Sequence, residues 1–314
     1  MNSTPAIDIE RLTKTYGSGA RPAVDDVSLR IQPGTVFGFL GPNGAGKTTT
    51  IKIAAGLLAA SAGTVRLNGY DVAARRSAAM AQIGAVLEGS RNVYWTLTAW
   101  QNLIYFGRLK GLRKAEARGQ ATELLTDLGL WDRRHDRVGD FSRGMQQKVA
   151  IAAALIADPP IVLLDEPTLG LDVAATRTVR NWIATLSEDR GKTILLTTHQ
   201  LDVVAELCDR VAVIREGTIV ADQATGELLS RFRRRDSYEV HIEGVPALPP
   251  LPGGFTAEES GDSTVIAGRV DDPRVVYQLL ERLGERGIVL RSLAQAQPSL
   301  EDVFLSLVEE PAHV

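Results

Sequence analysis

Gly41, Gly46, Lys47 and Thr48 stand at the spacing G-x-x-x-x-G-K-[ST], with Pro42, Asn43, Gly44 and Ala45 between the glycines and Thr49 following. Residues in this pattern can wrap a polyphosphate. Backbone N–H groups must come close to the phosphate oxygens and the chain must turn sharply, which glycine permits. Lys47 then reaches the β- and γ-phosphates, and the Thr48 hydroxyl is a ligand for Mg²⁺. A second set follows at Asp165 and Glu166, adjacent carboxylates directly after the apolar residues 161–164 (Ile-Val-Leu-Leu). Adjacent buried carboxylates are costly without a partner. A metal ion offsets that cost for Asp165, and Glu166 is placed to orient or deprotonate a water. His199 closes another apolar run; it is either a structural histidine or, at a strand end in a sheet that carries a phosphate loop, a contact for the γ-phosphate. Ser142, Gly144 and Gln146 lie in Phe-Ser-Arg-Gly-Met-Gln. Ser142 reads as the cap of a helix, either an ordinary capped start or an anion-binding tip.

These residues need a scaffold that brings distant parts of the chain to one edge. Residues 35–40 form a short apolar run before the phosphate loop and read as a buried strand, and residues 49–58 read as the helix after it. That helix's N-terminus faces the phosphates. Residues 161–164 and 193–197 are continuous apolar runs, the pattern of strands buried on both faces. Ligands bind outside the carboxyl ends of such strands. Alternating Ile7 and Ile9, and then Val24, Val27, Leu29 and Ile31, read as half-buried strands. Tyr16 between them is either a local packing anchor or a platform for a nucleotide base. Residues 64–69 read as strand and turn, and residues 83–87 as a strand that ends at Glu88. From about 89 to 160 the pattern is mostly helical: Thr98 and Gln101 form a capping box, Leu124, Leu125 and Leu128 sit at helical spacing over 121–128, and residues 146–156 make a third helix. Asp172 caps a helix whose apolar face is Val179, Trp182, Ile183 and Leu186, and residues 211–221 read as a hairpin turning at Glu216 and Gly217.

The 314 residues are enough for one large and one small domain. A formal net charge of -3 argues against a general electrostatic grip on nucleic acid. With Cys208 as the only cysteine no intrachain disulfide can form, and a reducing compartment is the simplest home. The first ten residues have neither the basic start nor the apolar core of a secretory signal. The longest apolar stretch, residues 149–164, is broken by Asp158, Pro159 and Pro160, so any membrane span must come from another chain.

Taken in order, the phosphate loop, the Ser-x-Gly helix tip, Leu-Leu-Asp-Glu and Thr-His resemble the ATP-binding cassette (ABC) ATPases over roughly the first 225 residues. The resemblance implies an α/β fold: a P-loop core with an antiparallel β subdomain and a helical subdomain at about 89–160. It implies ATP and Mg²⁺ as ligands and ATP hydrolysis as the activity. It places Tyr16 on adenine, residues 41–49 on the phosphates, and Ser142, Gly144 and Gln146 on the nucleotide of a partner subunit. It puts Asp165 and Thr48 on Mg²⁺, makes Glu166 the general base, sets Asp172 in a loop crossing the dimer interface, and has His199 clamp the γ-phosphate. The sequence departs from the family at two points. Arg143 stands where the helix tip usually has glycine, and Glu88 where the family usually has glutamine. A carboxylate suits a hard cation, so Glu88 joins the metal set; the alternative is a glutamate facing solvent at a strand end.

Residues 226–314 read as a small α+β accessory domain. A basic stretch at 231–235 leads into strands at 237–243, 264–268 and 288–293, a Pro-rich loop at 246–254, and helices at 272–287 and 299–307. Its Leu-Glu-Asp-Val-Phe ending is similar to that of nucleotide-binding subunits of bacterial type-2 ABC exporters. This resemblance implies a peripheral protein on the cytoplasmic face of the cell membrane. It would pair with a second copy and with separately encoded membrane permease subunits, and export a drug-like, lipid or saccharide substrate. Two other classes stay open: an unrelated P-loop kinase or GTPase, which would lack the Ser142-x-Gly144 tip and the His199 strand end, and soluble cassette ATPases that act on ribosomes or DNA. The latter tend to carry two cassettes or a long coiled-coil insertion, where this chain has one cassette and a short insert.

Overall fold

Alternating apolar residues put Ile7, Ile9 and Leu12 of β1 (Ile7–Lys14) and Val24, Val27, Leu29 and Ile31 of β2 (Val24–Ile31) on one buried face. In the computed structural model, which describes residues 4–17, 19–88, 92–228, 236–244, 247–260, 263–270 and 272–296, the chain divides into two compact units, Met1–Thr225 and Gly226–Val314.

In the first unit β1 pairs antiparallel with β2 and with β4 (Ala62–Leu67), and β5 (Tyr70–Asp71) completes a four-stranded sheet in the order β2-β1-β4-β5. This is the antiparallel subdomain implied by the family resemblance. A second sheet is built around β3 (Val36–Leu40), every residue of which is buried. Its order is β10-β9-β3-β8-β7-β6, with β6 (Ile83–Val86), β7 (Ile161–Asp165), β8 (Thr193–Thr198), β9 (Arg210–Arg215) and β10 (Thr218–Ala224). From β6 to β9 every neighbouring pair is parallel; β10 alone runs antiparallel, as the return strand of the hairpin. Phe37 and Phe39 join Ile51, Ile161, Leu163 and Leu195 in one core with the inner face of the antiparallel sheet. Fully burying one such side chain contributes about 1.5–3 kcal/mol.

Helices α1 (Lys47–Ala54) and α2 (Arg76–Met80) flank these sheets. The helical segment comprises α3 (Ala99–Leu109), α4 (Lys114–Asp127) and α5 (Arg143–Leu155). The capping box at α3 forms: Thr98 Oγ1 accepts from Gln101 N at 3.1 Å, and Thr98 N donates to Gln101 Oε1 at 2.9 Å. Helix α4 begins two turns earlier than residue 121. Ala117 and Ala121 are buried against its neighbours, and small residues are a weak signal in an apolar pattern. Helices α6 (Val173–Glu188) and α7 (Leu201–Leu207) complete the unit. Cys208, just after α7, is buried, and burial pushes its thiol well above the ordinary range, with the Asp209 carboxylate adding to the shift.

The second unit is a four-stranded sheet in the order β12-β13-β11-β14: β11 (Asp236–Glu243), β12 (Phe255–Ser260), β13 (Ser263–Val270) and β14 (Leu290–Ala296), with α8 (Arg274–Glu285) between β13 and β14. Neighbouring strands are antiparallel throughout. Val240, Ile242, Phe255 and Ile266 of the sheet pack on Val276, Leu279 and Leu283 of α8. Strand β12 follows the Pro-rich loop and is absent from the sequence reading, because Phe255 is its one apolar anchor and residues 256–259 are exposed. The basic stretch at 231–235 and the final helix at 299–307 lie outside the described residues. Among the described residues no helix is long and apolar enough to cross a membrane.

Candidate functional site

The phosphate loop leaves the carboxyl end of β3 and enters α1, as the strand–loop–helix pattern requires. Gly46 has φ 113°, and a Cβ there would lie 2.5 Å from the Ala23 carbonyl oxygen, so glycine is needed on both counts. Lys47 is 5% exposed; its Nζ donates to the Gly41 carbonyl at 2.6 Å and the Pro42 carbonyl at 3.1 Å, and sits 3.8 Å from Glu166 Oε1. Burial pushes the Lys47 ammonium below its ordinary pKa, while the carboxylates of Glu166, Asp165 and Glu88 pull the other way. Four charged groups from three strand ends therefore share one field.

Asp165 is 2% exposed and still satisfied. Its Oδ1 accepts from Thr197 Oγ1 at 2.5 Å and from Thr48 Oγ1 at 3.3 Å, and the Glu88 backbone N–H approaches Oδ2 at 3.5 Å. Glu166 has φ 49°, in the left-handed region that a non-glycine residue occupies only when its surroundings fix it. Its N–H donates to Thr197 Oγ1 at 3.0 Å and to the Thr197 carbonyl at 3.2 Å. One hydroxyl thus accepts from the backbone of Glu166 and donates to the side chain of Asp165. Both Glu166 carboxylate oxygens lie 3.0 Å from His199 Nδ1. Thr197 did not enter the sequence-derived set, although a hydroxyl inside an otherwise apolar buried run was the signal: such a group must find a partner.

Ser142, Gly144 and Asp172 form a second group. Ser142 Oγ caps α5 by accepting from Met145 N at 3.3 Å, and Asp172 Oδ1 caps α6 by accepting from Ala175 N at 2.7 Å. The two helix starts touch: a Cβ on Gly144 would fall 2.6 Å from that of Ala175. Gln146 is used inside its own chain, its Nε2 donating to the Val138 and Phe141 carbonyls at 3.2 and 3.1 Å, so it braces the turn before α5. Tyr16 is exposed, with its hydroxyl 3.4 Å from Thr49 Oγ1 and Lys14 Nζ 5.3 Å from its ring centroid. Glu88 is exposed and shares with Asp165, Glu166, Arg143 and Gln146 a cleft of about 540 Å³. Among the described residues no three His, Cys, Asp or Glu side chains converge as a metal cluster.

A family model described as ABC transporter matches residues 24–169. The chain is 39% identical over 327 residues to the daunorubicin/doxorubicin resistance ATP-binding protein DrrA of Streptomyces peucetius, covering 99% of this chain and 96% of that protein. It is 35% identical to the Nod factor export ATP-binding protein I of Paraburkholderia xenovorans (strain LB400), over 96% of each chain. Among solved structures it is similar to a dimeric ATP-binding cassette in a post-hydrolysis state bound to ADP and Pi, with a TM-score of 0.64 and 28% identity over 70% of this chain and 98% of that one.

Proposed function

This chain belongs to the ATPases of the ABC transporter family, and we propose that it powers export through separately encoded membrane subunits, from the cytoplasmic face of the cell membrane. The observation that carries this reading is the convergence of Lys47, Thr48, Asp165, Glu166 and His199 at one edge of the parallel sheet. The names of the relatives, drug resistance and Nod factor export, support a drug-like, lipid or saccharide substrate.

ATP is the substrate. Its phosphates lie over the N-terminus of α1, with Lys47 neutralising charge on the β- and γ-groups. Thr48 and Asp165 fit Mg²⁺, because a hydroxyl and a carboxylate already meet at 3.3 Å and both are hard oxygen donors. When bound, the ion spreads the negative charge that builds up on the phosphate oxygens. Glu166 accepts a proton from a water as that water's oxygen bonds to the γ-phosphorus. The bond from γ-phosphorus to the bridging oxygen breaks, leaving ADP and phosphate. The left-handed backbone of Glu166, bonded to Thr197, aims this carboxylate. His199, held by the carboxylate through Nδ1, has Nε2 free to meet the γ-phosphate. Ser142 and Gly144 supply the α5 tip to the nucleotide of a second copy, and Tyr16 stacks on adenine. The dimeric cassette among the similar structures supports this split arrangement.

Capture of the tagged chain from detergent-solubilised membranes tests the partner. Recovery of an integral membrane chain with it is the expected result. Recovery with ribosomes or DNA, and no membrane chain, would overturn the exporter assignment in favour of a soluble cassette ATPase.

A further inference from the structure

Arg143 opens α5 with a positive charge, although a cation in the first turn of a helix works against the helix dipole. It is exposed and makes no ion pair among the described residues, so neither burial nor charge pairing accounts for it. Its guanidinium does have a seat. A Cβ built on Gly170 would lie 2.5 Å from Arg143 Nη1, 2.7 Å from Cζ and 3.0 Å from Nη2. The flat guanidinium therefore fills the space that a side chain at position 170 would need, and lies against the backbone there. Gly170 also has φ 69°, a left-handed turn that favours glycine, while a Cβ there would displace the guanidinium from its seat.

That turn begins at the general base. Glu166 O accepts from Leu169 N at 3.1 Å and Thr168 O accepts from Leu171 N at 3.3 Å, which folds residues 166–171 into one compact piece. Upstream, the piece is fixed by Thr197, which receives the Glu166 N–H. Downstream, Asp172 ties it to the start of α6. Between those two anchors its outer side is covered by Arg143, next to the place where Gly144 meets Ala175. A residue held at φ 49° stays there only while such neighbours define it.

We propose that Arg143 is a positioning residue: its guanidinium, laid on Gly170, holds the 166–171 turn and through it the Glu166 carboxylate. This rests on the ATPase assignment above and adds to it a coupling within one chain. The helix tip that carries Ser142 and the loop that carries the base are braced against each other, so displacement of the tip is transmitted to the base. The phosphate loop is not part of this brace.

The test is steady-state ATP hydrolysis by the full-length protein, with thermal melting as a check on folding. Arg143→Ala should lower kcat about tenfold while leaving KM for ATP unchanged, since a small misplacement of a reacting group costs rate and not nucleotide binding. Arg143→Lys should recover little, because a compact ammonium cannot lie flat on a peptide. Gly170→Ala should cost several-fold less in an Arg143→Ala background than in wild type, because the steric conflict is gone and only the backbone strain remains. A wild-type kcat in Arg143→Ala, a loss seen in KM alone, or losses from the two substitutions that simply multiply would each overturn the brace. Absence of hydrolysis by the wild-type protein would instead overturn the ATPase assignment on which it rests.

Discussion

The two units solve the same packing problem, a sheet against helices, with opposite strand directions. In the first, β3, β6, β7 and β8 all run the same way, so their carboxyl ends lie on one edge. Those four ends deliver the phosphate loop, Glu88, the Asp165–Glu166 pair and His199. In the second unit each strand runs against its neighbour, and strand ends alternate between the two edges. Among the described residues no comparable gathering of charge occurs there: the core is Val240, Ile242, Ile266, Leu279 and their neighbours, with no charged side chain in it. A parallel sheet concentrates whatever its strands end on, at the cost of burying both faces. An antiparallel sheet sends the ends of neighbouring strands to opposite edges, so it gathers less at either one.

The largest effect expected from this contrast is at Glu166. Glu166→Gln keeps the shape and removes the base, so turnover should fall by about 10²–10⁴. ATP should then hold two copies together, read as a dimer by size-exclusion chromatography. Near-normal turnover would remove Glu166 from the role and weaken the idea that the strand-end cluster is the reaction centre.

Leu279→Ala probes the other side of the comparison. The residue is fully buried beneath the second sheet, and its truncation should cost that unit about 2–5 kcal/mol, seen as a lowered calorimetric transition. ATP turnover should stay at the wild-type value. If turnover falls with the transition, the second unit supports the chemistry and the contrast between the two no longer holds.

The smallest effect concerns whether four strand ends or three take part. Glu88 sends its charge toward Lys47 and its backbone N–H toward Asp165, yet its side chain is exposed. Glu88→Ala should raise the Mg²⁺ concentration for half-maximal hydrolysis by about tenfold or less, and Glu88→Gln should shift it less. Superimposable magnesium titrations for wild type and Glu88→Ala would take β6 out of the site.

What the sequence disclosed follows from which forces are local. The phosphate loop, the buried strands ending in Asp165 and His199, and the caps at Thr98, Ser142 and Asp172 depend on residues a few positions apart, and the structure forms them at those places. Strand β12 escaped because an edge strand with one anchoring Phe255 lacks the alternation that marks its neighbours. Three further features have no local signature: the Thr197 hydroxyl shared between Asp165 and Glu166, the left-handed turn at Glu166, and the brace from Gln146 to Val138 and Phe141. Each depends on chain segments that meet only in the folded sheet. The same is true of Arg143, which looks like a misplaced charge until Gly170 is set beneath it.

The buried thiol has a practical side. Cys208 is the only cysteine in 314 residues, and burial holds it protonated, the form least reactive toward alkylating probes. The natural chain is therefore already a silent background for thiol labelling. Leu57→Cys in the first unit and Tyr277→Cys in the second lie at exposed positions, and would be the two groups that take up a spin label or a fluorophore. The separation between the cassette and its accessory unit could then be followed through binding, hydrolysis and release of nucleotide without stripping out any native residue first.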